Sequence, residues 1–177
     1  MPAFVHTTGP IFHYIEWYQG NWAFLGTSET SPEIQFRPRT LEVRNDLAGR
    51  SLPFQRTWDG QDAIVKTVLT YFDNNVLSAL LKQFDDRLAR GSLFIGVQTY
   101  RLILQHSFAG TQVATPGMRA GWRFHAAWLA AYSPTPAGAQ AQMVGLVFQC
   151  DNLWDPGSRS FILYDQGTDI ATKYKPQ

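Results

Sequence analysis

Four histidines, a single cysteine and a run of arginines set among aromatic rings are the residues of this 177-residue chain whose types and spacing bear on chemistry. None of His6, His13, His106 and His125 stands in an HExxH or comparable metal-ligand spacing. A zinc site would have to be assembled in space from His106, His125 and Cys150, all in segments read below as strands, and the plainer reading is three half-buried residues that bond locally. Cys150 and His125 would also serve as nucleophile and base. Cys150, however, continues the Val144, Leu146, Phe148 side of its strand and reads as an inert core thiol. Asp59 and Asp62 flank Gly60 as turn residues do, with no EF-hand spacing around them. No GxSxG, GxGxxG or GxxxxGK[ST] occurs, so nucleophile-elbow and phosphate-cradling loops have no foothold. The sequence names no catalytic, cofactor or metal residue, and the expectation is a protein that is not an enzyme.

Arg37, Arg39, Arg44, Arg50 and Arg56 cluster with Phe36, Phe54 and Trp58, a mixture that can bind single-stranded nucleic acid. Glu33, Glu42, Asp46 and Asp59 lie in the same stretch, which favours a solvated or intersubunit segment. The whole chain is balanced at a formal net charge of +1, so no overall field draws in nucleic acid or an anionic membrane. Charged residues make up only 16%, against roughly 25% in typical soluble domains. A surface so short of charge is better suited to lying against a partner than to standing alone in water. Cys150 is the only cysteine, so it forms no internal disulfide, which fits a reducing compartment. The sequence starts with no signal-peptide pattern and has no apolar run of about 18 residues, so synthesis in a cytosol, without a membrane span, is expected.

The elements that must position these residues are mostly strands. Residues 11–18 (IFHYIEWY) are β-branched and aromatic, and Gly20 ends them before a second short strand at 22–26. Residues 33–36 and 40–44 are extended pieces bracketed by Pro32 and Pro38, which makes them edge strands or loop excursions. Residues 45–53 (NDLAGRSLP) lose all period and read as a long loop reaching towards residue 60. Residues 62–72 carry apolar side chains on both faces, as in a strand covered on both sides. The period then changes. Val76, Leu77, Leu80, Leu81, Phe84 and Leu88 recur at three- and four-residue steps, predicting an amphipathic helix over about 74–89, capped by Asp73 or Asn74 and ended by Gly91. Strands follow at 93–97, 100–108, 121–133, 142–150 and 160–164, the last two joined by the loop DNLWDPGSR. In residues 121–133 the even positions Trp122, Phe124, Ala126, Trp128, Ala130 and Tyr132 form a period-two stripe. Many strands around one helix predict a single domain over 1–177, mainly β, an antiparallel sandwich or split barrel with one flanking helix.

Leu25, Gly26, Thr27 and Glu29 open a strand that leads through the long loop to a second strand carrying Asp59, Gly60, Gln61, Ala63, Val65 and Leu69. With the closing pieces GLVFQCDNLW (145–154) and SFILYD (160–165), this pattern resembles virion structural proteins of tailed bacteriophages, in particular tail-tube-like proteins. The resemblance spans about half the chain and rests on turn and strand patterns; the chain departs from it in being balanced where tube lumens tend to be acidic. It implies a β-sandwich or split barrel with one helix, assembling into stacked hexameric rings whose sheets join into one barrel. The implied partners are copies of the chain and other virion proteins, with nucleic acid only passing through a lumen, no cofactor, and a virion location after production in the host cytoplasm. Asn45, Asp46, Leu47, Arg50, Leu52 and Phe54 would then form an intersubunit loop. Two alternatives remain open. One is another virion part (neck, head decoration or baseplate), and the other a β-sandwich module offering Trp122 and Trp128 to sugar rings.

Overall fold

The computed structural model describes residues 10–18, 21–45, 52–90, 99–106, 121–134, 143–155, 157 and 159–167. Twelve elements follow in chain order: β1 (Ile11–Tyr18), β2 (Asn21–Ser28), β3 (Glu33–Asn45), β4 (Leu52–Leu69), β5 (Tyr71–Phe72), α1 (Asn74–Arg90), β6 (Tyr100–His106), β7 (Gly121–Pro134), β8 (Val144–Asp151), β9 (Leu153–Asp155), β10 (Ser160–Ile162) and β11 (Tyr164–Gly167). Nine strands form one antiparallel sheet in the order β3-β4-β8-β7-β6-β1-β2-β5, with β11 added to β7, while β9 and β10 make a separate hairpin. The fold is mainly β with a single helix, and the sheet is open rather than a closed barrel. Its two ends are nevertheless parts of one stretch of chain. At the bend after Leu69, Thr70 N donates to Thr27 O at 2.9 Å, and the next two residues, as β5, pair with β2.

The sheet wraps the main core, which holds Ile11, Ile15, Leu25, Val65, Leu69, Leu102, Phe124, Leu129, Leu146 and Phe148. On the opposite face of β1, β2 and β6, the edge-to-face rings of Phe12, Tyr14 and Phe24 form a second cluster with Ile103. Both faces of these strands are therefore apolar, as their near-continuous hydrophobic sequence requires.

Helix α1 starts where its chemistry says it must. Asp73 is the cap, its Oδ1 accepting from Asn75 N at 2.8 Å and Val76 N at 3.2 Å. Leu77 and Leu80 are buried, Val76, Leu81 and Phe84 pack against the same core, and the Phe84 ring meets Tyr132 edge-on. Leu88 is helical, with its side chain outside the described residues, as is Gly91.

Several expectations need correction. The long loop over 45–60 is mostly a hairpin: β3 and β4 stay paired out to Asn45 opposite Leu52. β8 pairs with β4 only from Ala63 onward, so among the described residues the distal hairpin has no third strand beside it to impose an alternating pattern. The two extended pieces at 33–36 and 40–44 are one 13-residue edge strand that carries Pro38. The loop DNLWDPGSR contains β9, and the strand at 160–164 breaks at Leu163 into β10 and β11. The stripe on β7 does not hold one face. Register shifts opposite Tyr100–Leu102 and at Leu129–Ala131 move the core-facing set to Trp122, Phe124, Ala127, Leu129 and Tyr132. The strand expected at 93–97 lies outside the described residues.

Two substitutions test this architecture. A Cβ on Gly26 would run into the Tyr71 carbonyl oxygen, so Gly26→Ala is expected to force β5 off β2 and lower the urea midpoint clearly. A midpoint equal to wild type would show that the two ends of the sheet do not meet there. Leu80→Asp, at a position 1% exposed, would bury an unpaired charge and cost about 3–5 kcal/mol, read as loss of the cooperative transition in circular dichroism.

Candidate assembly surface

The groups considered for chemistry are dispersed. Among the described residues no three His, Cys, Asp or Glu side chains are grouped so as to hold a metal ion. Cys150 sits in the main core, where burial, aided by the neighbouring Asp151 charge, pushes its thiol pKa up. His125 instead faces Asp165 on β11, Nε2 to Oδ2 at 3.0 Å, with its ring fully buried. Burial lowers the His125 pKa and the Arg123 and Arg101 charges lower it further, while Asp165 acts the other way. The pairing of Cys150 with His125 is therefore not assembled; His6 and the His106 side chain lie outside the described residues, and with them the part of the zinc reading that rests on His106.

The Arg123 guanidinium lies 5.3 Å from the Trp22 ring centroid, and Arg101 donates to Glu16 at 2.7 Å. These charges, together with the His125–Asp165 pair, tie β1, β2, β6, β7 and β11 together. His13 does comparable work inside the core. Its Nδ1 lies 3.1 Å from Ile11 O and its Nε2 2.9 Å from Thr67 Oγ1 on β4. The pattern fits a neutral ring that donates to the carbonyl and accepts from the hydroxyl. Burial lowers its pKa to about 4.

Trp122 and Trp128 do not form an open platform. Trp122 packs against Tyr164 and Phe36, and Trp128 donates its ring N–H to Asp151 at 2.8 Å. Among the exposed aromatics, which include Tyr71, Trp154 (49% exposed) and Phe161 (61%) form a cross-strand, edge-to-face pair on the β9–β10 hairpin. Sequence reasoning missed this pair, although Asp155-Pro156-Gly157 is a turn signature and Asp155 Oδ1 does accept from Gly157 N at 3.1 Å.

The least protected backbone belongs to the ends of the sheet. β3 pairs only with β4, so its outer edge has no strand beside it among the described residues. Pro38 sits opposite Gln61 without breaking the ladder, which places its missing N–H on the free side; Phe36 and Ile34, two and four residues back, turn their N–H groups the same way. At the other end, β5 covers β2 at Gly26 and Thr27, and the Leu25 carbonyl accepts from Asp73 N, while Trp22–Phe24 has no strand on that side among the described residues. Two ion pairs cross from β3 to β4, Arg39 to Asp62 at 3.1 Å and Glu33 to Lys66 at 3.4 Å. Of the expected contact loop, Asn45, Leu52 and Phe54 lie in the backbone of β3 and β4, and Asp46, Leu47 and Arg50 fall outside the described residues. No helix among the described residues is long and apolar enough to cross a membrane.

No family model and no curated protein matches the sequence. Solved structures do resemble the fold. A chain of the PVC sheath–tube complex, an extracellular contractile injection system in its extended state, superposes with a TM-score of 0.50 at 9% identity, over 94% of this chain and 95% of that one. A chain of the sixfold-symmetrised baseplate of the anti-feeding prophage gives 0.46 at 11% identity, covering 93% and 95%. A chain of the cap that terminates the tube of the same prophage gives 0.43 at 9%, covering 88% of each. At these identities the likeness is one of fold.

The buried His13 makes stability depend on pH. Its pKa is lower folded (about 4) than unfolded (6.5), so the unfolded chain takes up the proton first, and stability present above pH 6.5 drains away as pH falls towards 4. The loss is expected to approach about 3 kcal/mol, with His125 adding in the same direction. Urea titrations at several pH values should show a shallower decline between pH 6.5 and 4 in His13→Gln than in wild type; equal slopes would place the proton uptake elsewhere.

Proposed function

We propose that this protein is a structural subunit of a tail-like particle, most specifically a tail-tube-like protein that assembles head to tail with copies of itself into rings or stacked rings. The observation that carries the reading is the pair of unlike free edges in one sheet. Among the described residues, β3 offers an unpartnered edge at one end and the start of β2 offers another at the opposite end. An exposed edge is a template for pairing with another chain, and two different edges joined across copies make a heterologous contact that closes into a ring when the rotation allows. The projecting β3–β4 hairpin, including Asn45, Leu52 and Phe54, then reaches a neighbouring copy. The sharing of its fold with a chain from a sheath–tube complex supports the same reading. Low charge supports it too, because a covered subunit has less need of a charged surface.

In this reading the chain has no catalytic role, its partners are copies of itself and other particle components, and nucleic acid meets it only in a lumen. The test is electron microscopy of concentrated protein with light scattering across salt conditions. Wild type is expected to give rings or tubes. Ile34→Pro removes an N–H on the free side of β3 while sparing the β3–β4 ladder, and is expected to stay folded but remain monomeric. A wild type that is monomeric under every condition, or an Ile34→Pro protein that assembles as wild type does, would overturn edge-to-edge assembly.

A further inference from the structure

We infer that the cavity between β4 and the β9–β10 hairpin is a binding site for a neutral saccharide. The cavity holds about 440 Å³, within the roughly 300–1,000 Å³ of small-molecule sites. Gln61, Asn152, Ser160, Phe161, Ile162 and Tyr164 line it, and none of its described lining residues is charged. Carboxamides and hydroxyls both donate and accept hydrogen bonds, which is what a ring of sugar hydroxyls requires. With no lysine, arginine or histidine in the lining there is no counter-charge for a phosphate, sulfate or carboxylate, and with no carboxylate there is none for an amine.

The apolar side of a sugar also has its counterpart. Phe161 lines the cavity and is 61% exposed, and Trp154 braces it edge-on with ring centroids 5.1 Å apart. Edge-to-face support from one side leaves ring surface open to C–H groups on another. The position of Asn152 is built into β4. Gly60 takes a φ of 112°, and a Cβ there would collide with the Asn152 carboxamide, so only glycine lets the carboxamide lie against the strand at the cavity wall. Gly60 pairs with Arg39 where the β3–β4 register shifts, so the bulge that bends the hairpin also shapes the cavity.

The test is saturation-transfer NMR and calorimetric titration of the full chain with neutral oligosaccharides of glucose, galactose and N-acetylhexosamines, alongside sialylated and sulfated counterparts. At least one neutral oligosaccharide is expected to bind. Phe161→Ala removes an exposed ring and Gln61→Glu places a charge in the neutral lining, and each is expected to weaken binding about tenfold or more with thermal unfolding unchanged. Absence of transfer to every neutral sugar, equal binding of the anionic counterparts, or wild-type affinity in both variants would overturn the site. Monomeric and assembled fractions are titrated separately. Sugar binding by a protein that never assembles would overturn the ring reading alone, and assembly without sugar binding would overturn this inference alone.

Discussion

The structure depends on one strand belonging to both ends of its sheet. β4 is paired with β3 and β8 at one end, and after the bend at Thr70 the same chain returns as β5 against β2 at the other. Two features hold that return. Gly26 leaves room for the Tyr71 carbonyl, and the buried Thr67 hydroxyl reaches across from β4 to the His13 ring on β1, strands that are not neighbours in the sheet. A buried polar pair of this kind is costly to leave half-made, so it fixes how tightly the sheet can curl, where an all-apolar contact would tolerate sliding. The helix then has a defined space to fill, and Leu77 and Leu80 complete the core within it.

What could be read from the sequence follows from where burial imposes a period. The helix was legible over nearly its full length because one face meets the core and the other meets water, and its cap was legible because Asp73 precedes the apolar run. Strand β8 was legible for the same reason, β1 and β6 as runs rich in β-branched, aromatic and other apolar residues, and β4 only from residue 62 onward. The distal β3–β4 hairpin was not, since among the described residues it is a two-stranded ribbon with no third strand to impose alternation. On β7 the sequence does alternate, but two register shifts turn the chain over, so Trp128 leaves the core-facing set and Leu129 enters it. Bulges of that kind leave little mark in residue type. The polar pairs Glu16–Arg101 and His125–Asp165 were invisible because their members come from four strands far apart in sequence.

Charge placement sharpens the compositional argument. Only 16% of the residues are charged, and Glu16, Arg123 and Asp155 are buried, so the surface is poorer in charge than the composition alone implies. The interior charges are the compensated kind: Glu16 has Arg101, Arg123 has the Trp22 ring, and Asp155 accepts from Gly157 N. They give the β1–β2–β6–β7 face a fixed register while contributing nothing to solubility. The free edges of β3 and β2 thus belong to a molecule with few charges left to guard them.

The edges and the cavity make different demands on a partner, and that difference argues for two roles. An edge strand is satisfied by any extended backbone, so selectivity there comes from matching lengths and from side chains such as Arg39 and Asp62, already paired within the subunit. The cavity beside Gly60 presents amides, a hydroxyl and an open phenyl ring, which a neighbouring strand would satisfy poorly because its own amides are met by ladder pairing. Assembly through the edges leaves such a site available unless a neighbour's side chains enter it. The register shift beside Gly60 therefore lies next to both features, in the β3–β4 ladder on one side and against the Asn152 amide at the cavity wall on the other.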